Sequence, residues 1–132
     1  MDASLAYVDA SAFVKLIVPE RESQALLAAT EAWQLASSAL LEVEAVRALR
    51  RRAPDLEAAV RKRLRSVQIV DVGAAIREAA ATLPDPHLRS LDAVHVATAL
   101  SLEDHLGAFF VYDQRLITAA RAHGLPVTVP QP

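Results

Sequence analysis

Short apolar runs alternate with longer stretches of helical spacing along nearly all of this sequence, and that alternation constrains the fold more than any other feature. Runs at 5–9 (LAYVD), 34–37, 67–72 (VQIVDV) and 109–112 (FFVY) read as strands, and 127–129, closed by Pro130, reads as an edge strand. Between them lie helical patterns. Residues 10–18 stop at Pro19, and 20–32 carry Leu26, Leu27 and Ala28 on one apolar side. Residues 38–52 start at Ser38, the expected N-cap, and end before Pro54. Residues 55–65 then complete a helical hairpin. Further helices are expected over 74–83, before Pro84; over 91–106, stopped by Gly107; and over 114–123, with Gly124 as the C-terminal cap. Strands alternating with helices join by right-handed crossovers into a parallel sheet covered on both faces. The expected class is α/β: three layers, α/β/α, around a central, mainly parallel sheet of four or five strands.

At 132 residues and 53% hydrophobic content the chain buries one complete core and is too short for two ordinary domains. With no linker, repeat or low-complexity run, a single domain over 1–132 is expected. Cysteine is absent, which excludes disulfides, thiolate ligands and thiol nucleophiles. The N-terminus lacks a basic stretch followed by a long apolar run, and nothing approaches the roughly 20 apolar residues of a membrane span, so a soluble, cytoplasmic protein is expected. A net charge of -2 carries no global signature of nucleic-acid binding. Yet eight of the 14 basic residues fall within 47–65: Arg47, Arg50, Arg51, Arg52, Arg61, Lys62, Arg63 and Arg65, offset only by Asp55 and Glu57. Such a block either attracts phosphate backbone or is a solvated helical face.

The acidic residues are informative through their positions relative to strand ends. In open parallel sheets, ligands bind at the carboxyl ends of the strands. Asp9 terminates the first strand and Asp113 follows FFVY; Asp92 begins a long helix, and Glu44 lies in the helix after the second strand. Each has a plainer role available: Asp9, Asp92 and Asp113 as helix-start residues, Glu44 as an exposed acid paired with arginine. Their surroundings argue for more. Asp9 interrupts an apolar stretch, and Asp92 sits on a helix dominated by Ala, Val and Leu, where a carboxylate needs pairing or a metal. Four carboxylates at one point repel, and a cation makes the cluster tolerable. All-oxygen ligation suits Mg²⁺ or Mn²⁺, which activates water and neutralises charge on a phosphodiester.

These segments carry a resemblance. DASAFVKL, from Asp9, resembles the opening motif of the PIN-domain family, an Asp followed two positions later by Ser or Thr. SALLEVEAVRALRR, from Ser38, resembles the family's second helix; RSLDAVHVATA, from Arg89, its third motif; and FVYDQRL, from Phe110, its fourth. The matches come in family order over essentially the whole chain, and their wording is most similar to VapC-type toxins of type II toxin–antitoxin pairs. The resemblance implies a PIN-like fold and a metal-dependent endoribonuclease acting on RNA. Asp9, Glu44, Asp92 and Asp113 would be its metal-binding, catalytic acids, with Mg²⁺ or Mn²⁺ as cofactor. It also implies a cognate VapB-type antitoxin that blocks the active site, and a homodimer. Ser11 matches the family hydroxyl that orients the first Asp or touches the scissile phosphate.

Other residues bear on this reading. Glu42 and Glu44 point in different directions on a helix, and the phase from Ser38 favours Glu44. Tyr112 stands where the family more often has Thr or Ser. His95, one turn after Asp92, is either a ligand or general base or, more commonly for such a residue, a buried hydrogen-bonded histidine. Arg47, Arg50 and Arg51 suit RNA phosphate, an antitoxin or solvent; Trp33 reads as core. Val14, Leu16 and Ile17 read as an exposed apolar face for a partner. A haloacid-dehalogenase-like phosphatase needs a second Asp two positions after the first, where this chain has Ser11. A DNA nuclease of branched substrates would need more chain. The remaining alternative is a catalytically inactive PIN-like module that binds RNA or protein.

Overall fold

The computed structural model describes residues 3–132. Its strands are β1 (Leu5–Val8), β2 (Gln34–Ser38), β3 (Gln68–Val70), β4 (Leu106–Phe110) and β5 (Val127–Thr128). They form one sheet in the order β3-β2-β1-β4-β5, every neighbouring pair parallel. The helices are α1 (Ala10–Phe13), continued by a 3₁₀ turn at Val14–Leu16, α2 (Ser23–Thr30), α3 (Leu40–Arg52), α4 (Glu57–Leu64), α5 (Ala74–Ala81), α6 (Ser90–Leu100) and α7 (Gln114–Ala122).

Parallel strands need crossovers that cover the sheet, so both faces of the central strands must be apolar. Ala6 and Val8 of β1, with Ala108 and Phe110 of β4, join Phe13, Leu26, Leu41, Leu49, Val60 and Leu64 in one core. Tyr7 and Phe109, the alternate residues, join Val96, Ala99, Leu116, Ile117 and Ala120 in a second. The helices α1 to α4 therefore lie on one face and α6 and α7 on the other, with α5 packed against α6. This is the expected α/β/α sandwich. Among the described residues no helix is long and apolar enough to cross a membrane.

Several expected boundaries move, each for a physical reason. Ser38 is not the N-cap of α3. It is the last residue of β2, and its hydroxyl instead accepts from the Leu40 N–H; the cap position falls on Ala39, which makes no side-chain bond. The helix expected from Glu20 begins at Ser23, because Glu20 and Glu22 are drawn to Lys15 at 2.7 and 3.1 Å. The helix expected over 91–106 ends at Leu100. A 3₁₀ turn at Glu103–His105 then redirects the chain, with Glu103 at φ 51, and Leu106 opens β4. Gly107 is thus inside a strand, where the Trp33 ring lies so close that a Cβ would collide with it. Trp33 packs against the core, as its isolation among few aromatics suggested. Val14, Leu16 and Ile17 are not an exposed face: Val14 is buried, and the other two pack on the first core, because the turn after α1 folds back onto the sheet. Gly124 adopts φ 74 after α7, the left-handed conformation its cap role requires.

Candidate functional site

The strand order reverses direction at β1. From β1 the chain steps outward through β2 to β3, then returns to the far side of β1 as β4 and continues to β5. In such a sheet the connections leaving β1 and β4 depart to opposite faces and leave a crevice at their carboxyl ends. Asp9 follows β1 and Asp113 stands three residues after Phe110, the end of β4, so both lie at that crevice.

Ser11 fastens them together. Its hydroxyl donates to both Asp9 oxygens, at 2.7 and 2.8 Å, and accepts from the backbone N–H groups of Tyr112 at 2.9 Å and Asp113 at 3.2 Å. One small side chain thereby joins segments a hundred residues apart. Asp9 also caps α1 by accepting from Ala12 N–H at 3.0 Å, and Asp113 caps α7 by accepting from Leu116 N–H at 3.0 Å. The plainer capping roles are real for both. They do not use up either carboxylate, since a cap engages a single oxygen.

The other two acids approach from the helical layers. Asp92 lies in the first turn of α6, half-buried. Burial raises its pKa, and the negative charge of Asp113 raises it further, which places those two carboxylates within electrostatic reach of each other. Glu44 projects from α3 and accepts from His95 Nε2 of α6 at 2.7 Å, a contact that ties one helical layer to the other. Glu42 is exposed and lines a different cleft, with Arg61 and Arg65. His95 is buried at 2% exposure, hydrogen-bonded on both ring nitrogens.

Asp9 is 5% exposed, and burial pushes its carboxyl up to about 6 even though Ser11 and Ala12 hydrogen bonds oppose the shift. Beside this buried carboxyl, Asp92 is still raised despite the opposing charges of Arg115 and Arg89. The donors are all carboxylate oxygens, the chemistry a hard divalent cation selects. Among the described residues no three His, Asp or Glu side chains form a ready-made coordination cluster. Asp92 and Asp113 feel each other's charge, and Ser11 ties the Asp9 carboxylate to the Asp113 backbone.

Basic grooves flank this edge. On one side Ser11, Glu44, Arg47, Arg51 and Leu91 line a common groove; on the other, His87, Arg89, Gln114, Arg115 and His123 line a second. The basic block of α3 and α4 divides accordingly. Arg50 and Arg61 bond to Glu57, at 2.7 and 3.0 Å, and Arg52 bonds to Glu20. Among the described residues Arg47 and Arg51 have no ion-pair partner. Tyr112 donates its hydroxyl to the Pro130 carbonyl at 2.7 Å, and the Lys15 ammonium lies over its ring.

Sequence reasoning missed Arg89, Arg115 and His87 as a second basic flank; their nearness in sequence to Asp92 and Asp113 was the available signal. It also passed over Tyr7. A tyrosine inside a strand buried on both faces must find a partner for its hydroxyl, but the partner stands 88 residues away.

A parallel sheet in this order, with Asp9 and Asp113 just beyond the carboxyl ends of β1 and β4, narrows the class. A model of the PIN domain matches residues 6–122, and the chain belongs to the PIN-domain family. Within it the chain is of the VapC type. It is 43% identical over 129 residues to ribonuclease VapC35 of Mycobacterium tuberculosis, covering 94% of this chain and 96% of that protein. It is 38% identical over 125 residues to ribonuclease VapC46 of the same species, with the same coverage. Two solved structures share the fold. A toxin–antitoxin complex from Klebsiella pneumoniae aligns with TM-score 0.72 at 23% identity, over 95% of this chain and 97% of that one. The sarcin-ricin loop cleaving toxin VapC20 of M. tuberculosis aligns with TM-score 0.68 at 18% identity, over 86% of this chain and 94% of that one.

Proposed function

We propose that this protein is a metal-dependent endoribonuclease that hydrolyses RNA phosphodiester bonds as the toxin of a toxin–antitoxin pair, its 132 residues forming one PIN domain. The observation that carries the reading is the buried, under-neutralised Asp9 carboxyl at the sheet's reversal point, with Asp113 tied to it through Ser11 and Asp92 beside Asp113. The ribonucleases to which the chain is similar over nearly its whole length support the chemistry.

Asp9, Glu44, Asp92 and Asp113 would hold Mg²⁺, or Mn²⁺ in its place. Bound there, the ion supplies an activated water and neutralises charge on the phosphodiester. The chain's own residues do the positioning. Ser11 fixes the Asp9 carboxylate and, through the Tyr112 and Asp113 amides, the start of α7. Arg47 and Arg51 on one flank, and Arg89 and Arg115 on the other, would hold RNA phosphates on either side of the acids; the grooves they line support this.

The partner reading is a VapB-type antitoxin laid over the first groove, where Val43 (59% exposed) and Leu91 (54%) stand beside Glu44 and Arg47. An apolar and basic rim next to a charged centre suits a peptide that carries both apolar anchors and acids. Homodimerisation and a cytoplasmic location complete the proposal.

The test is incubation of the purified chain with RNA and Mg²⁺ or Mn²⁺, alongside Asp9→Asn. Metal-dependent cleavage by the wild type alone is expected. Equal cleavage by both, or none by either, overturns the nuclease reading, and a gel shift with intact RNA points instead to a binding module.

A further inference from the structure

Glu44 differs from the other three acids in how it is held. Its carboxylate accepts from His95 Nε2 at 2.7 Å, while His95 Nδ1 faces the Tyr7 hydroxyl at 2.6 Å. The Tyr7 oxygen in turn accepts from the Ser38 N–H at 3.2 Å. Tyr7 and His95 are 0% and 2% exposed, so water does not compete for these bonds.

The hydrogens along this line can be assigned. An ionised carboxylate only accepts, so His95 Nε2 carries a hydrogen. The Ser38 N–H already donates to the Tyr7 oxygen, which leaves the phenol O–H to donate to Nδ1. The Ser37 hydroxyl also lies near the phenol, but it gives its hydrogen to the Val8 carbonyl at 2.6 Å, so it does not donate to the Tyr7 oxygen. The order is Ser38 N–H to Tyr7, Tyr7 O–H to His95 Nδ1, His95 Nε2–H to Glu44 Oε1. Each donor is used once. The chain starts at a backbone amide in β2, so its direction is built into the sheet.

We propose that Tyr7 and His95 are positioning residues for the candidate site: a buried relay that locks His95 as the Nε2–H tautomer and so holds Glu44 Oε1, leaving Oε2 free to face the other acids. The geometry favours this over a purely structural role for the histidine. Glu44 is half-exposed on a helix surface, with its side chain 29% accessible, and would otherwise sample several rotamers. The neighbouring Glu42, without such a partner, faces elsewhere. The Tyr7 ring is separately held by stacking on Phe109, with centroids 4.9 Å apart, so its hydroxyl is aimed before any ligand arrives. Partners of this kind, one bond removed from a ligand, typically change metal affinity or activity by about 10–100-fold when lost.

The relay itself is tested without activity. Long-range ¹H–¹⁵N spectra of the metal-free protein, with His95 assigned by comparison with His95→Gln, should show a single Nε2–H tautomer. Tyr7→Phe, which removes only the bond to Nδ1, should keep the Nε2–H but move the Nδ1 resonance downfield toward that of a nitrogen with no hydrogen bond. A wild-type ring protonated on Nδ1 alone, or one unchanged in Tyr7→Phe, overturns the relay. Its consequence for the site rests on the nuclease reading. Calorimetric titration with Mn²⁺ should show about 10-fold weaker binding by Tyr7→Phe. RNA cleavage should lose kcat with little change in KM, and His95→Gln, which keeps an N–H toward Glu44, should retain more activity than His95→Leu. Wild-type Mn²⁺ affinity and kcat in folded Tyr7→Phe and His95→Leu overturn the positioning role. If the wild type neither binds Mn²⁺ nor cleaves RNA, the nuclease reading and the positioning role fall together, and the spectra alone decide the relay.

Discussion

Asp9 is held in a position that opposes its own ionisation. Its carboxyl is carried from an ordinary value of 3.8 up to about 6, chiefly by burial. A carboxyl raised in the folded state takes up its proton there more readily than in the unfolded chain. Its contribution therefore favours folding at low pH and is lost as pH rises through about 6. At neutral pH the metal-free protein bears a strain on the order of 2–3 kcal/mol from this one residue. Asp9→Asn should accordingly abolish cleavage yet raise the thermal midpoint of the metal-free protein at pH 7. The midpoint difference between the two proteins should shrink toward pH 5. Added Mn²⁺ should raise the wild-type midpoint and leave that of Asp9→Asn nearly unmoved. Melting curves at both pH values, with and without Mn²⁺, check all three outcomes; a less stable Asp9→Asn at pH 7 would contradict the burial argument. Glu44 and Glu42 offer a paired test at the same scale. Glu44→Gln should lower kcat by at least about 10-fold and weaken Mn²⁺ binding, while Glu42→Gln, in its separate cleft, should cleave as the wild type does.

Along α3 the register decides which charges remain available. Arg47 lies three residues after Glu44 and Arg51 seven, so both share its face, whereas Arg50 and Arg52 turn toward Glu57 and Glu20. Arg47→Glu combined with Arg51→Glu should raise KM for RNA several-fold and reduce the salt dependence of binding, with a much smaller effect on kcat. Arg50→Ala should do little to either. Steady-state cleavage at two salt concentrations distinguishes these outcomes. The element scale is also where sequence reading succeeded and failed most visibly. Strand runs such as LAYV and the Gly124 cap were legible because their signals are local, whereas FFVY marked only the last two residues of β4, which begins at Leu106. The end of α6 was not. The apolar spacing from Leu91 continues past Leu100, and the break comes at Glu103, a non-glycine residue with positive φ that leaves no mark in the sequence. Gly107, the visible stop signal, serves another purpose under Trp33.

For the molecule as a whole, the alternation of elements was enough to predict three layers. Of the four candidate carboxylates, strand-end position gave only Asp9 and Asp113; Glu44 and Asp92, both on helices, were singled out by motif resemblance. What stayed hidden was every link between them. Ser11 reaches amides a hundred residues away, His95 bridges Glu44 and Tyr7, and no local spacing reports such contacts. The same non-local packing can be probed far from the acids. Trp33, in the connection from α2 to β2, crowds Gly107 of β4, and an added methyl group there would collide with the indole ring and press on the Ala3 side chain. Gly107→Ala should destabilise the fold by about 1–3 kcal/mol, read as a lower denaturant midpoint at unchanged slope.

The Ser11 bridge sets an order of events when the protein is made. Its two ends are separated by roughly 100 residues, which a ribosome adds in about 5–20 s at roughly 5–20 residues per second. Until Tyr112 and Asp113 have been polymerised and β4 has paired beside β1, Ser11 has no amides to accept from. A nascent chain, or one cut short before that point, holds Asp9 and Glu44 as isolated acids on unfinished structure. The bridge therefore closes only late in translation, a delay written into the order in which the strands are laid down.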